Sequence, residues 1–176
     1  MKTVEEIFEL IKNKFPEAVF NLINTQPLDS YIEVSPLEVD KITFFLRDTE
    51  ELLFDSLVLL SGVDDANGET KKDEDGGITI TGGTLSVYYH LESTSLRHKV
   101  VLKASTPREK PEVVSVTEVW RCADWHEREA FDMVGIVFLN HPDLRRILLP
   151  YDWTAGYPLR KDYRNPEFYN GMKVPY

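Results

Sequence analysis

Three groups of side chains could do chemistry. Cys122 stands four residues before His126, and His126 and Glu129 stand at i, i+3. A Cys–His pair can yield an activated thiolate. The competing reading is a semi-buried thiol and an exposed imidazole beside Trp125. The second group is Glu127-Arg128-Glu129 with Asp132, carboxylates and a guanidinium within two helical turns. It fits acid–base work, a charged surface, or a docking face for a partner or for the basic arm, because an Arg fork pairs carboxylates bidentately. The third is Arg145-Arg146 and Arg160-Lys161, set among Leu, Ile, Trp and Tyr. Arg interleaved with aromatics is the composition of an interface centre.

Other chemistries find no residues to carry them. His90, His98, His126 and His141 do not recur at ligand spacing, and no HExxH occurs. A single cysteine cannot close an internal disulfide, hold an ordinary iron–sulfur cluster or build a multi-cysteine zinc site. Gly76-Gly77 and Gly82-Gly83 are not followed by Lys-Ser or Lys-Thr and open no helix, so they read as turn glycines. No residue is therefore assigned to catalysis, cofactor or metal.

Hydrophobic spacing predicts the elements that must hold these groups. Thr3 with Glu6 forms a capping box before Val4, Ile7, Phe8, Leu10 and Ile11, predicting a helix over 4–14. Ala18 to Ile23 and Tyr31 to Val34 read as strands. Ser35-Pro36-Leu37-Glu38 opens a helix to about Arg47, with a short turn at 50–54. Ser56 to Val63, Thr84 to Glu92 and Leu96 to Ala104 read as strands, with a small one at Ile78–Thr81. The stretch from Asp64 to Gly77 reads as a solvated hairpin loop, and Ser105 to Pro111 as a turn. Helical character returns from Val113, and Trp125 to Val134 is a helix that Gly135 ends. The expected fold is α+β over 1–138, with a three- to five-stranded, largely antiparallel sheet and helices on one face.

The remainder, 139–176, reads as an extended C-terminal arm that docks on a partner. It holds Pro and Gly but keeps Leu144, Ile147, Leu148, Leu149, Trp153 and Phe168, too many large apolar groups for a solvated tail. Charge sets it apart. Of a net −10, residues 1–76 carry 7 basic and 18 acidic side chains, 77–140 carry 7 and 8, and 141–176 carry 6 and 4. The acidic bulk argues against nucleic acid. No apolar run approaches the roughly 18 residues of a spanning helix, and the acidic N-terminus lacks a signal peptide's apolar core.

Two stretches carry a family resemblance. The first is Glu127-Arg128-Glu129-Ala130-Phe131-Asp132-Met133-Val134-Gly135-Ile136. The second is His141-Pro142-Asp143-Leu144-Arg145-Arg146-Ile147-Leu148-Leu149-Pro150, continuing through Asp152-Trp153 to Gly156-Tyr157-Pro158-Leu159-Arg160-Lys161-Asp162-Tyr163. Together they resemble the C subunit of respiratory complex I, the proton-translocating NADH:quinone oxidoreductase. Thr154-Ala155 stand where that family commonly has one residue, and Arg164 where it often has Pro.

The resemblance implies a cofactor-free structural and assembly subunit of the hydrophilic arm, peripheral on the cytoplasmic side of the inner (plasma) membrane. NADH, FMN, iron–sulfur clusters and quinone would be bound by other subunits. The implied partners are the D subunit, which forms the quinone site, and the iron–sulfur subunits next to it, gripped by the arm. The residues expected to bind them are Glu127, Arg128, Glu129, Asp132, His141, Arg145, Arg146, Trp153, Pro158, Leu159, Arg160, Lys161, Asp162 and Tyr163. An equivalent subunit of a ferredoxin- or F420-dependent dehydrogenase, or of a membrane-bound hydrogenase, fits the same motifs. Two further readings remain. A nucleic-acid module predicts salt-sensitive binding through the arm. A hydrolase predicts turnover by the chain alone that Cys122→Ala or Glu129→Gln abolishes.

Overall fold

The computed structural model describes residues 1–24, 29–74 and 77–173. The turn expected at Gly76 lies outside them. Helix α1 runs Val4–Lys14 behind the expected capping box: Glu6 N–H donates to Thr3 Oγ1 at 3.3 Å, and Thr3 N–H to Glu6 Oε2 at 2.8 Å. Strands β1 (Val19–Ile23) and β2 (Tyr31–Val34) follow, then α2 (Val39–Asp48). Helix α2 starts later than expected, because Pro36 to Glu38 form a turn and Glu38 makes no side-chain cap bond.

Strand β3 (Ser56–Asp64) leads to a small hairpin, β4 (Glu69–Lys72) with β5 (Ile78–Thr81). Part of the expected solvated loop is thus a strand, exposed along its whole length. Two long strands, β6 (Thr84–Glu92) and β7 (Lys99–Pro107), complete one five-stranded sheet in the order β1-β2-β7-β6-β3. Only β2 and β7 run parallel; the other three pairings are antiparallel. Strand β7 extends through residues expected to turn, because Ser105 and Thr106 keep their partners Ser86 and Leu85.

Alternation decides the faces. Leu85, Val87, Tyr89 and Leu91 of β6 are buried, in one core with Ile7 and Ile11 of α1 and Ile42 and Leu46 of α2. On the opposite face Lys103 lies 5.6 and 5.5 Å from the ring centres of Tyr31 and Tyr88, a cation over two aromatics.

Helical character does not return at Val113. Strand β8 (Glu112–Val114) pairs in parallel with β9 (Val137–Leu139). Val116, Val119 and Trp120 point into the core from turns, not from a helix. Helix α3 (Ala123–Val134) then packs across β3, and Gly135 ends it at φ +83°. Gly62 of β3 permits the close approach, since a Cβ there would lie 2.9 Å from that of Ala130. The chain from His141 has no regular structure until a two-stranded turn, β10 (Phe168–Tyr169) with β11 (Met172–Lys173). None of the described helices is long and apolar enough to cross a membrane.

Candidate functional site

The sequence predicts an arm that gains order only against a partner. Through residue 164 it lies instead against its own body, and α3 supplies most of the grip. Asp132 is fully buried one turn before the helix end, where the helix dipole disfavours an anion. The arm compensates it. Oδ2 accepts the main-chain N–H of Ile147, Leu148 and Leu149 at 3.1, 2.8 and 2.8 Å, and Oδ1 accepts Arg146 Nη1 at 2.7 Å. Burial opposes the charged form, but these four donors outweigh it and hold the carboxyl below its ordinary value.

The arm also finishes the helix. The last carbonyls of α3 have no intrahelical partner. Met133 O accepts Leu159 N–H at 3.0 Å, and Val134 O accepts Arg160 Nε–H at 2.7 Å. A cation at a helix C-terminus is favourable as well. Gly135 is the pivot: a Cβ there would lie 2.5 Å from the Tyr157 ring and 2.8 Å from Arg160 Nη2. With positive φ added, Gly135→Ala is expected to cost about 2 kcal/mol or more, read by chemical denaturation of the isolated chain.

A second clamp holds the far end. Arg108 Nη1 donates to Asp64 Oδ1 at 2.7 Å and its Nη2 to Asp162 Oδ1 at 2.6 Å, while Lys161 N–H donates to Asp64 Oδ2 at 2.9 Å. Asp64 is desolvated, yet Arg108 and the N–H groups of Lys161 and Ala66 keep it below the ordinary carboxyl value.

The root of the arm is polar and buried. Glu127 accepts Ser115 Oγ–H and Val116 N–H, both at 2.7 Å. His141 Nε2 lies 3.9 Å from Glu127 Oε2 and 3.4 Å from Asp124 Oδ1. Its Nδ1 accepts Asp143 N–H at 3.0 Å. Arg128 Nε donates to Arg145 O at 3.2 Å, and its guanidinium stands 5.3 Å from the Trp125 ring centre. Desolvation dominates at Glu127 and raises its carboxyl to about 7, against the pull of Ser115 and Val116.

A raised carboxyl means the folded chain binds the proton more tightly than the unfolded chain. Its stabilising effect is complete below the unfolded value of 4.5 and is lost as pH rises to about 7. At ~1.4 kcal/mol per pH unit this amounts to about 3 kcal/mol. The stability difference between the native chain and Glu127→Gln should fall by that amount across the window, measured by denaturation at a series of pH values. A flat difference would refute the assignment.

The expected binding residues thus divide. Asp132, Arg146, Arg160, Asp162, Arg128 and Glu127 meet groups of their own chain. His141 is buried at the root, and Tyr163 N–H bonds Arg160 O at 3.2 Å. Trp153 Nε1 donates to Gly156 O, and its ring stacks against Tyr169 at 5.4 Å. Pro158 is half-buried. Glu129 and the side chain of Lys161 face outward, and the exposed guanidinium of Arg145 pairs with the exposed Asp143. Sequence reasoning missed Asp64, Arg108, Ser115 and Tyr157. Outward-facing apolar groups accompany the arm: Trp125 is 63% exposed, Leu148 61%, Tyr151 94% and Leu159 55%. Large apolar side chains left this exposed, in and beside a segment that also exposes Arg145 and Lys161, are what a partner surface could cover.

The described residues form an α+β body braced by its own basic C-terminal segment, with several large apolar side chains exposed beside it. The chain belongs to the family described as the respiratory-chain NADH dehydrogenase 30 kDa subunit, whose profile matches residues 32–169. The NADH-quinone oxidoreductase C subunit of Chloroherpeton thalassium is 44% identical over 174 residues, 98% of this chain and 65% of that one. The chain therefore spans just under two thirds of this relative's length. The C subunit of Chlorobium phaeobacteroides is 41% identical over 175 residues, 96% of this chain and 93% of that one. The C/D polypeptide of the Bacteroides fragilis enzyme is 43% identical over 145 residues, 82% of this chain and 25% of the relative. The trypsin-resistant fragment (1-134) of Nqo5 shares the fold: TM-score 0.58 at 21% identity, covering 80% of this chain and 98% of the fragment.

Proposed function

We propose that the chain is a structural and assembly subunit of an NADH:quinone oxidoreductase, with no reaction centre of its own, seated against the quinone-site subunit and its iron–sulfur neighbours. The complex carries electrons from NADH to quinone with proton translocation, and NADH, FMN, iron–sulfur clusters and quinone are held by the other subunits. The observation that carries this reading is the braced arm with its outward apolar row, on a chain of this family. The Bacteroides relative supports the D subunit as the neighbour, since one polypeptide there bears both designations. The chain then sits peripherally on the cytoplasmic side of the membrane.

The braces make the arm a finished surface before docking. Little ordering entropy then remains to oppose binding, and exposed anchors such as Leu148 and Tyr151 can contribute nearly their full burial. Leu148→Asp and Tyr151→Asp remove apolar contact at exposed positions. The isolated variants should melt as the native chain does, while co-purification with the quinone-site subunit falls roughly tenfold or more. Undiminished co-purification of the pair of substitutions combined would refute the docking face. Failure of the native chain to co-purify with the quinone-site subunit would refute the function.

A further inference from the structure

A shallow cavity of about 380 Å³ opens at the outer end of the arm, walled by Gly156, Tyr157, Arg160, Asp162, Tyr163 and Arg164. The arginines around it are not equivalent. Arg108 is committed to Asp64 and Asp162, and Arg164 pairs with Asp73. Arg160 gives only Nε, to Val134 O at 2.7 Å. Among the described residues its two Nη groups have no acceptor. The guanidinium stacks 4.5 Å from the Tyr157 ring centre, which fixes its plane. Burial and the neighbouring Arg108 both disfavour its charge. A half-buried guanidinium held in one plane, with its outer edge unpaired and facing a cavity, is set for a planar anion.

We infer that Arg160 is the anchor of a carboxylate-binding subsite that receives an aspartate or glutamate side chain of the partner subunit. The inference rests on the docking role proposed above and names the chemistry of one contact. Charge selects the ligand. Asp162 in the wall spends one oxygen on Arg108 and leaves the other unbonded among the described residues, which repels a dianionic phosphate more than a single carboxylate. Tyr157 and Tyr163 beside the guanidinium give the composition of a protein hot spot, not of a lipid-binding surface.

The test uses the assembled complex carrying Arg160→Lys. Carbodiimide joins an amine to a carboxylate only when the two are in salt-bridge contact. Peptide mapping should find the amine at position 160 joined to an Asp or Glu of another subunit. Coupling confined to Asp162 or Asp64 of the same chain, or none at 160 in a complex that contains the variant, would overturn the inference and leave the docking role intact. Native chain missing from the complex would sink both.

A second measurement does not depend on assembly of the variant. In the isolated chain, sodium acetate should move the side-chain resonances of Arg160 and the ring signals of Tyr157, where sodium chloride of equal strength does not. Arg160→Gln should abolish the response while leaving the chain folded by circular dichroism. An equal response to both salts would overturn the subsite. So would Arg160-dependent sedimentation with anionic phospholipid vesicles in the absence of an acetate response, which would assign the cavity to a lipid phosphate.

Discussion

Replacing Asp132 by alanine is expected to destabilise the isolated chain by about 3–5 kcal/mol and to free the stretch of the arm that begins at Arg146 and ends before the anchors at Leu159 to Asp162. The carboxylate is fully buried and serves four donors at once. Without it the N–H groups of Ile147, Leu148 and Leu149 lose their acceptor, and the Arg146 guanidinium keeps only the carbonyl of Trp153, at 3.2 Å. Each desolvated donor left unpaired costs about 1–3 kcal/mol unless the segment moves out to water, and moving out is the cheaper course. The melting temperature should therefore fall, and limited proteolysis should cut between 143 and 160 at a rate the native chain does not show. Asp132→Asn keeps the shape but turns an amide donor toward donors, so it should fall between the two. Acid should reproduce the effect. A carboxyl held below its ordinary value of 3.8 stabilises the fold above that pH, and the contribution disappears as pH drops through the folded value. An Asp132→Ala chain as protease-resistant as the native one would show that the grip on the arm lies elsewhere.

Most of the body could be read from short-range signals. The capping box at Thr3 and Glu6, the alternation of β6 and the glycine after α3 are each written within a few residues, and the structure realises them. The misreadings have specific causes. Val116, Val119 and Trp120 stand at i, i+3 and i+4, as on a helix, but they sit in the turn that follows strand β8. Asp64 looks like the first residue of a solvated loop, because nothing nearby in sequence reveals that Arg108, 44 positions on, is its partner. The contacts of the arm with its own body were the least legible. Three of its four anchors on Asp132 are main-chain N–H groups, which no side-chain pattern encodes. One clue was available: an aspartate in the last turn of a helix sits against the dipole and calls for donors from outside it.

The far clamp offers the sharper separation between a pair that stabilises and one that specifies. Truncating Arg108 to alanine strands Asp64, whose side chain is fully buried, and releases Asp162; the expected loss is about 3–5 kcal/mol. Buried ion pairs differ from buried hydrophobes, however, in what happens when both partners go. With Asp64→Leu and Arg108→Met together, no fully buried charge is stranded, and the sheet end can pack apolar groups where the pair stood. The body should recover most of the loss. The arm should not recover, because Lys161 N–H and Asp162 no longer have partners at that point. Global stability by denaturation and arm attachment by proteolysis around Lys161 should thus part company in the double variant: near-native in the first, strongly impaired in the second. If both recovered together, Asp64 and Arg108 would serve the core alone. If neither did, the charges would be intrinsic to the fold of β3 and β7, and the clamp on the arm would be a by-product of that requirement.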